Sequence, residues 1–580
     1  MKLKAVKIHN FRGILDQEIT LKDYTLLVGP NNAGKSTVIN AIRAFYEKDS
    51  FKFKKDNDFP HAETTDQESW IELTFALADE EHDSLADYYK TASKTLCVRK
   101  FFQTDTKTHD GKDASGYIFG YKSDGTLSNE PFYGAKNVQS GKFGDLIYIP
   151  AMSTVDEHIK LSGPSALRDL LSDIMTDVVK AGQSYTELSD SVEKFSDTIR
   201  NEKTADGRSL EKFERDLNKL FEPWESEFKI KFQPPSIAEI IKSMLSWDLF
   251  DQHHGKAQAV DSYGSGFQRY FIYSLIQLGA RYVIKRAGNK AKDFTTNLNL
   301  ILFEEPEAFL HPPQQEILAR NLIELVSSGH WQVVCATHSP HFVSKNALYI
   351  PSIVRLRRSA GKVEKYQIDD KTWELIVNAN QAINAIAVKY SKMAKRLRED
   401  DAKPEMEAVK HFLWLNPDRS SIFFANHVLL VEGPTEVALI NRLIGDGKIN
   451  NADCGLYVLD CMGKYNIHRF MNLLIHLGVP HAVIHDDDND KDEHKEINQL
   501  IQDSSNENFT LKVERISGNL EEMLGLSAAG SDHRKPQHIL YQYESGNIDA
   551  VKVQEFCKLV EACLPRKSAV TANAGLLDKA

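Results

Sequence analysis

A chain of 580 residues is too long for one core, and 42% apolar with 26% charged residues describes an ordinary globular protein of several units. No uninterrupted apolar stretch is long enough to cross a bilayer, which argues against a membrane-spanning helix. The net charge of −11 argues against general attraction to DNA, so any nucleic-acid site must be a local basic strip.

Six cysteines (Cys97, Cys335, Cys454, Cys461, Cys557, Cys563) are scattered without a C-x-x-C pair, against both a zinc site and a disulfide framework. No charged-then-apolar leader opens the chain, because Met1 to Asn10 already alternates like a strand; a cytoplasmic location is the expectation. Lys2 to Ile8 and Ile14 to Leu21 alternate around His9-Asn10-Phe11-Arg12-Gly13 and predict an antiparallel start to a sheet.

The strongest local signal follows. Gly29 to Thr37 reads Gly-Pro-Asn-Asn-Ala-Gly-Lys-Ser-Thr and satisfies the phosphate-loop pattern G-x-x-x-x-G-K-[ST]. The apolar run Tyr24 to Val28 predicts a buried strand before it, and Val38 to Tyr46 a helix after it. In this context Gly29, Asn32 and Gly34 let backbone N–H groups curl around a phosphate. Lys35 reaches the β- and γ-phosphates of ATP, and the hydroxyls of Ser36 and Thr37 lie beside them, with Ser36 on a magnesium ion.

Between Phe51 and Tyr133, short strands (Trp70 to Ala76, Thr95 to Phe102, Tyr117 to Tyr121) predict an antiparallel subdomain without evident chemistry. After the strand Leu146 to Pro150, the stretch Leu161 to Leu220 turns charged and helically periodic, with Leu167, Leu170, Leu171, Ile174 and Val178 on one face. It reads as inserted helices, either a satellite core or a dimerisation segment. Further on come Tyr263-Gly264-Ser265-Gly266-Phe267-Gln268, the apolar strand Asn299 to Phe303 ending in Glu304-Glu305-Pro306-Glu307, and the strand Gln332 to Ala336 ending in Thr337-His338-Ser339. A hairpin is predicted around Ser359 to Lys362. Lys389, Lys392, Lys395, Arg396 and Arg398 form a basic run on a predicted helix, either a solvated face or a DNA contact.

Asn10-Phe11-Arg12 resembles the opening of the SMC and RecF group of ABC-type ATPases. The order phosphate loop, Ser-Gly-x-Gln, strand-Glu-Glu-Pro-Glu, strand-Thr-His-Ser is that of an ABC-type ATPase head. The resemblance implies that Glu304 holds magnesium through water, that Glu305 faces the attacking water as general base, and that His338 contacts the γ-phosphate. It also implies that Ser265 and Gly266 close on the nucleotide of a second copy, making ATP the glue of a dimer. Glu304 departs from the usual Asp of this family.

A second centre follows. The strand Val428 to Val431 delivers Glu432-Gly433-Pro434-Thr435-Glu436, and the strand Ala482 to Ile484 delivers His485-Asp486-Asp487-Asp488. Three carboxylates at strand ends on the same edge of a parallel sheet suit magnesium or manganese. The pairing resembles the Toprim domain of topoisomerases, primases and nucleases. In its nuclease branch Glu436 and Glu521 would serve a second metal beside Glu432, Asp486 and Asp488. Gly463-Lys464 and Lys535-Pro536 also look like family elements, with Lys535 the candidate for stabilising the transition state. A topoisomerase would need a positioned tyrosine on a separate DNA-binding domain, and only Tyr541 and Tyr543 follow Asp488, in a short tail.

An ABC-type head interrupted by helices and followed by Toprim is the arrangement of the OLD (overcoming lysogenisation defect) nucleases, which include Gabija nuclease subunits and retron-linked effectors. The resemblance implies an α/β protein: an ATPase head in two parts (1–160 and 241–400) around a helical dimerisation segment (161–240), then a Toprim domain (420–580). It further implies an ATP-regulated, metal-dependent DNA endonuclease in anti-phage defence, using ATP and magnesium or manganese at both centres. The expected partners are DNA, further copies of the chain through the heads and inserted helices, and a helicase or a reverse transcriptase with small DNA or RNA. The competing reading is an ATP-dependent DNA-binding clamp or sensor that acts through a partner without cutting.

Overall fold

The computed structural model describes residues 1–47, 51–134, 143–151, 183–230, 247–250, 255–282, 298–329, 331–343, 347–390, 403–450, 455–488, 492–527 and 530–565, with isolated positions between 171 and 243. Leu167, Leu170, Ile174, Cys454 and the basic run from Lys392 to Arg398 lie outside the described residues. The chain divides into two compact units, Met1–Ala151 with Ala291–Ala580, and Met152–Lys290.

In the first unit, the opening strands do not join the sheet of the phosphate loop. Ile14–Thr20, Lys2–Phe11, Ser69–Ala76, Thr95–Gln103, Ile118–Tyr121 and Leu127–Pro131 form one antiparallel sheet in that order. A second sheet runs Asp145–Ile149, Asn299–Glu304, Trp331–Ala336, Tyr24–Val28, Ile353–Ser359, Lys362–Gln367, parallel except for its last hairpin. The fully buried run Tyr24–Val28 is central, as a continuous apolar strand demands.

The helix Lys35–Tyr46 ties the two sheets together. Val38, Ile39, Ile42 and Phe45 are fully buried, in one core with Leu3, Val6 and Ile8 of the first sheet and Leu27, Leu300 and Leu302 of the second. Apolar side chains on most of its circumference mark a helix enclosed by other elements. It starts at Lys35, three residues before its apolar periodicity does, because Gly34 sits at φ 102 and turns the chain into the first helical turn.

Further along, Leu456–Asp460, His427–Val431, His481–Asp486 and Thr510–Ile516 make a four-stranded, wholly parallel sheet. His427–Val431 is buried at every position. Helices Pro434–Gly445, Ile467–His476, Asp492–Asp503, Lys535–Glu544 and Ala550–Ala562 accompany it. Leu429, Val431, Leu439, Ile440, Ile484 and Phe556 belong to its core.

In the second unit, Ser184–Asn201 pairs with Leu210–Phe221, whose Ser209 side chain caps the N–H of Lys212. Arg200 Nη2 donates to Glu214 Oε1 at 2.9 Å across the pair, while Phe195, Phe213 and Leu220 are exposed. The helix Ser265–Tyr282 belongs to the same unit.

Candidate functional site: a nucleotide loop and a carboxylate cluster

The phosphate loop is built around two glycines with no room for a side chain. A Cβ on Gly29 would stand 2.2 Å from the Leu356 carbonyl oxygen, and one on Gly34 would stand 2.8 Å from Val363 Cγ2. Asn32 between them also takes a left-handed conformation, φ 61. Lys35, only 6% exposed, folds its ammonium back to donate to the Gly29 and Pro30 carbonyls, both at 2.9 Å. Burial lowers its pKa to about 8, against the opposing pull of Glu305 and Glu307. Ser36 is exposed at the first helical turn, with Thr37 half-buried beside it.

The strand Asn299–Glu304 pairs with Trp331–Ala336, so the Glu304-Glu305-Pro306-Glu307 turn and the Thr337-His338-Ser339 turn leave the sheet side by side. Glu304 Oε2 accepts the Tyr148 hydroxyl at 2.8 Å, whereas its buried Oε1 makes no hydrogen bond among the described residues. A buried carboxylate oxygen without a donor suits a cation or its water. Glu305 leaves the strand at φ 45 and is exposed, so its direction comes from a left-handed turn. Glu307 accepts from Thr337 Oγ1 at 2.7 Å and from the His338 N–H at 2.5 Å. Its pKa is raised by burial, and that of His338 is lowered by burial and by the Lys35 charge. Ser265 and Gly266 open the helix Ser265–Tyr282 in the second unit, where Gln268 Nε2 donates to the Tyr263 carbonyl at 2.7 Å and fixes the preceding turn.

At the parallel sheet, adjacent strands bring Glu432 and Asp486 together, and the Asp486 N–H donates to Glu432 Oε1 at 2.8 Å. Glu436 lies in the first turn of the following helix, where its Oε2 accepts the Gly433 N–H at 3.1 Å. Asp488 is held in the left-handed region, φ 46, with Oδ2 at 3.3 Å from Lys464 Nζ and from His494 Nδ1. Glu521 is buried in the short helix Leu520–Leu524, and Lys535 Nζ stands 3.5 Å from its Oε1.

The electrostatics treat these side chains as one group. Burial raises Glu432 and Glu436 to about 7, with Glu436 and Asp488 adding to the first and Asp486 and Glu521 to the second. Burial and the charges of Glu432 and Asp488 raise Asp486 to about 8. Lys464 opposes the rise at Glu432 and Asp486. Among the described residues Asp486 Oδ1 is buried without a hydrogen bond, and buried Glu521 Oε1 has only the Lys535 ammonium at 3.5 Å. Among the described residues no three His, Cys, Asp or Glu side chains are gathered closely enough to hold an ion as they stand. The fit to divalent cations is therefore one of donor chemistry, mutual repulsion and the unpaired Asp486 oxygen.

Three contributors had no assigned role in the sequence. Lys464 donates to the Asp486 and Asp487 carbonyls and to Asp488 Oδ2 from a nearly buried position. Glu307 stands inside the recognised Glu-Glu-Pro-Glu stretch, but its partners lie in the turn that follows another strand. Tyr148 is far from Glu304 in the chain, so no local signal marks it.

The family model for the AAA ATPase domain matches residues 1–343, and that for the Overcoming lysogenization defect protein-like TOPRIM domain matches residues 423–488. The chain is 25% identical over 500 residues to the Old nuclease of Escherichia phage P2, covering 84% of this chain and 77% of that protein. It is 23% identical over 495 residues to the OLD nuclease of Thermus scotoductus, covering 84% and 82% of the two chains. To the Endonuclease GajA of Bacillus cereus it is 24% identical over 504 residues, covering 84% and 75%. The chain belongs to the AAA ATPase domain family and is an OLD-family protein, an ATPase joined to a Toprim nuclease domain.

Proposed function

We propose that the chain is an ATP-regulated, divalent-metal-dependent DNA endonuclease serving as an anti-phage defence effector. The observation that carries this reading is the carboxylate cluster in which the Asp486 N–H meets Glu432 and the charges of Glu436, Asp488 and Glu521 lift their neighbours' pKa values. The names of the relatives, two OLD nucleases and an endonuclease, supply the reaction class.

Glu432, Glu436, Asp486, Asp488 and Glu521 would hold magnesium or manganese. Bound there, such ions supply a polarised water for attack on a phosphodiester and stabilise the leaving 3′ oxygen. The chain's own residues set the geometry: the Asp486 N–H orients the Glu432 carboxylate, and Lys464 holds the Asp486–Asp488 turn by its carbonyls. Lys535, beside Glu521, offers an ammonium to charge developing on the phosphate.

At the head, Gly29, Asn32, Gly34, Lys35, Ser36 and Thr37 would cradle ATP, with Ser36 and Glu304 facing its magnesium. Lys35 would trade its two loop carbonyls for phosphate oxygens. Glu305 takes the proton of the attacking water, and His338, held by Glu307, reads the γ-phosphate. Ser265 and Gly266 would close on the nucleotide of a second copy, and the exposed Phe195, Phe213 and Leu220 suit an interface between copies. A helicase, or a reverse transcriptase with small DNA or RNA, is the expected defence partner.

The test is incubation of supercoiled plasmid with the purified protein and magnesium or manganese, with and without ATP, beside Asp486→Ala. Metal-dependent nicking or linearisation that the variant lacks supports the reading. Absence of cutting in every condition favours a clamp or sensor that works through a partner.

A further inference from the structure

Arg355 is fully buried, and its described hydrogen bonds all go to backbone carbonyls rather than to a carboxylate. Burying a guanidinium without a counter-charge is unfavourable, and here burial lowers its pKa to about 9. An apolar side chain would fill the same volume without that penalty, so the donor pattern asks for a reason.

The reason lies in what the four carbonyls precede. Arg355 Nε donates to Phe423 O at 3.2 Å and Nη2 to Ala425 O at 2.9 Å, just ahead of the strand His427–Val431 that ends beside Glu432. Nη1 donates to Leu477 O at 3.2 Å and Gly478 O at 2.9 Å, just ahead of the strand His481–Asp486. One rigid planar fork thus grips the entrances of both strands whose far ends carry the carboxylates.

Arg355 also belongs to the nucleotide side. It sits on Ile353–Ser359 in register with Val28, the residue before Gly29, and the next carbonyl, Leu356 O, is the one that crowds Gly29. A second contact reaches the same segment independently: the His338 ring lies 6.5 Å, centroid to centroid, from that of Phe424, between the two carbonyls that Arg355 holds. Gly478 is fixed in turn by the Tyr366 ring, against which a Cβ would stand 2.5 Å away, at a backbone φ of 62.

Resting on the reading of the chain as an ATP-regulated nuclease, we propose that Arg355 is a positioning residue that locks the entrances of the Glu432 and Asp486 strands to the phosphate-loop strand. Binding of nucleotide at Lys35 and His338 is then transmitted to the carboxylate cluster through the segments 423–425 and 477–478. Because a strand is stiff along its length, a small shift at its entrance moves the carboxylate at its end.

Hydrogen–deuterium exchange on the intact protein, without DNA, tests this. Magnesium with a non-hydrolysable ATP analogue should change exchange in the wild type both at the phosphate loop and in peptides covering 421–428 and 476–481. In Arg355→Lys, which keeps the charge but not the planar fork, the phosphate loop should still respond while the two distant segments fall silent. Plasmid cleavage should agree: a nucleotide response of the usual coupling size, roughly 5- to 150-fold in wild type, falls to within about twofold in the variant. Wild-type protein whose phosphate loop responds while 421–428 and 476–481 do not would overturn the proposal, and that arm needs no variant to fold. An Arg355→Lys protein that transmits the response unchanged would overturn it equally. Wild-type protein that shows the exchange response yet cuts no DNA would instead count against the nuclease reading.

Discussion

The Asp486 N–H donates to Glu432 Oε1 at 2.8 Å across two neighbouring parallel strands, so one carboxylate is oriented by the backbone that delivers the other. Parallel pairing sends both strand ends to the same edge, and the helix Pro434–Gly445 carries Glu436 back over it. Like charges are thereby gathered where burial already opposes ionisation.

Replacing Lys464 should weaken metal use more than it weakens the fold. Its ammonium holds the Asp486 and Asp487 carbonyls and faces Asp488 Oδ2, so it stands behind the cluster. Lys464→Met is expected to raise the metal concentration for half-maximal cleavage by about 10- to 100-fold. A metal titration of plasmid cutting checks this, and an unchanged midpoint would remove Lys464 from the site.

Lys35→Ala and Glu305→Gln should separate nucleotide binding from hydrolysis. Lys35 folds onto the loop carbonyls that a phosphate would replace, so its loss should abolish measurable ATP binding in calorimetry. Glu305→Gln should bind ATP normally but hydrolyse it about 10²- to 10⁴-fold more slowly, as removal of a general base predicts. Normal turnover in that variant would assign the base elsewhere.

Glu307→Gln tests a residue that acts through others. Its carboxylate accepts from the Thr337 hydroxyl and the His338 N–H, so it fixes the turn that carries His338. Hydrolysis should fall while ATP affinity stays within about threefold, a difference of at most about 0.65 kcal/mol. Equal losses in both would show that Glu307 supports the loop as a whole.

Three buried histidines should cost the Toprim part stability in acid, against the carboxylate cluster. His427 and His481 are buried with pKa values lowered to about 4, and His468 with one lowered to about 3, in each case by burial. The unfolded chain takes up these protons near pH 6.5 while the folded one refuses them. Stability from the three is therefore complete above about pH 6.5 and is lost as pH falls toward 4, by roughly 1.4 kcal/mol per pH unit for each. Glu432, Glu436 and Asp486, raised to about 7, 7 and 8, act in the opposite sense over the same range. The histidine effect is therefore read by calorimetric melting between pH 8 and 4 in a Glu432→Gln, Glu436→Gln, Asp486→Asn variant. Its melting temperature should fall more steeply below pH 6.5 than the wild type's, and a variant with a flat melting temperature there would contradict this.

Most of the scaffold was legible because its signals are contiguous. Strand, glycine loop and helix stand together around Gly29 to Thr37, and the buried strand His427–Val431 runs straight into Glu432. Their spacing also led to Asp486, whose strand pairs directly with that of Glu432. Long-range partnerships left no such trace. Nothing local says that Tyr148 donates to Glu304, or that Arg355 spans Phe423 and Gly478. Alternation in Lys2–Phe11 announced a strand, but pairing decides the sheet, and this one joins Ser69–Ala76 and not Tyr24–Val28. Glu305 was expected to face the attacking water, but nothing local announces the left-handed turn at φ 45 on which its direction depends.

The most direct test of two separate centres in one chain follows DNA cleavage and phosphate release in the same preparations of wild type and Glu432→Ala, with magnesium or manganese. Loss of cutting by about 10²-fold or more, with ATP hydrolysis retained, is the predicted result. Glu432→Ala protein that cuts plasmid like the wild type would contradict a nuclease centre at the Glu432 and Asp486 strand ends.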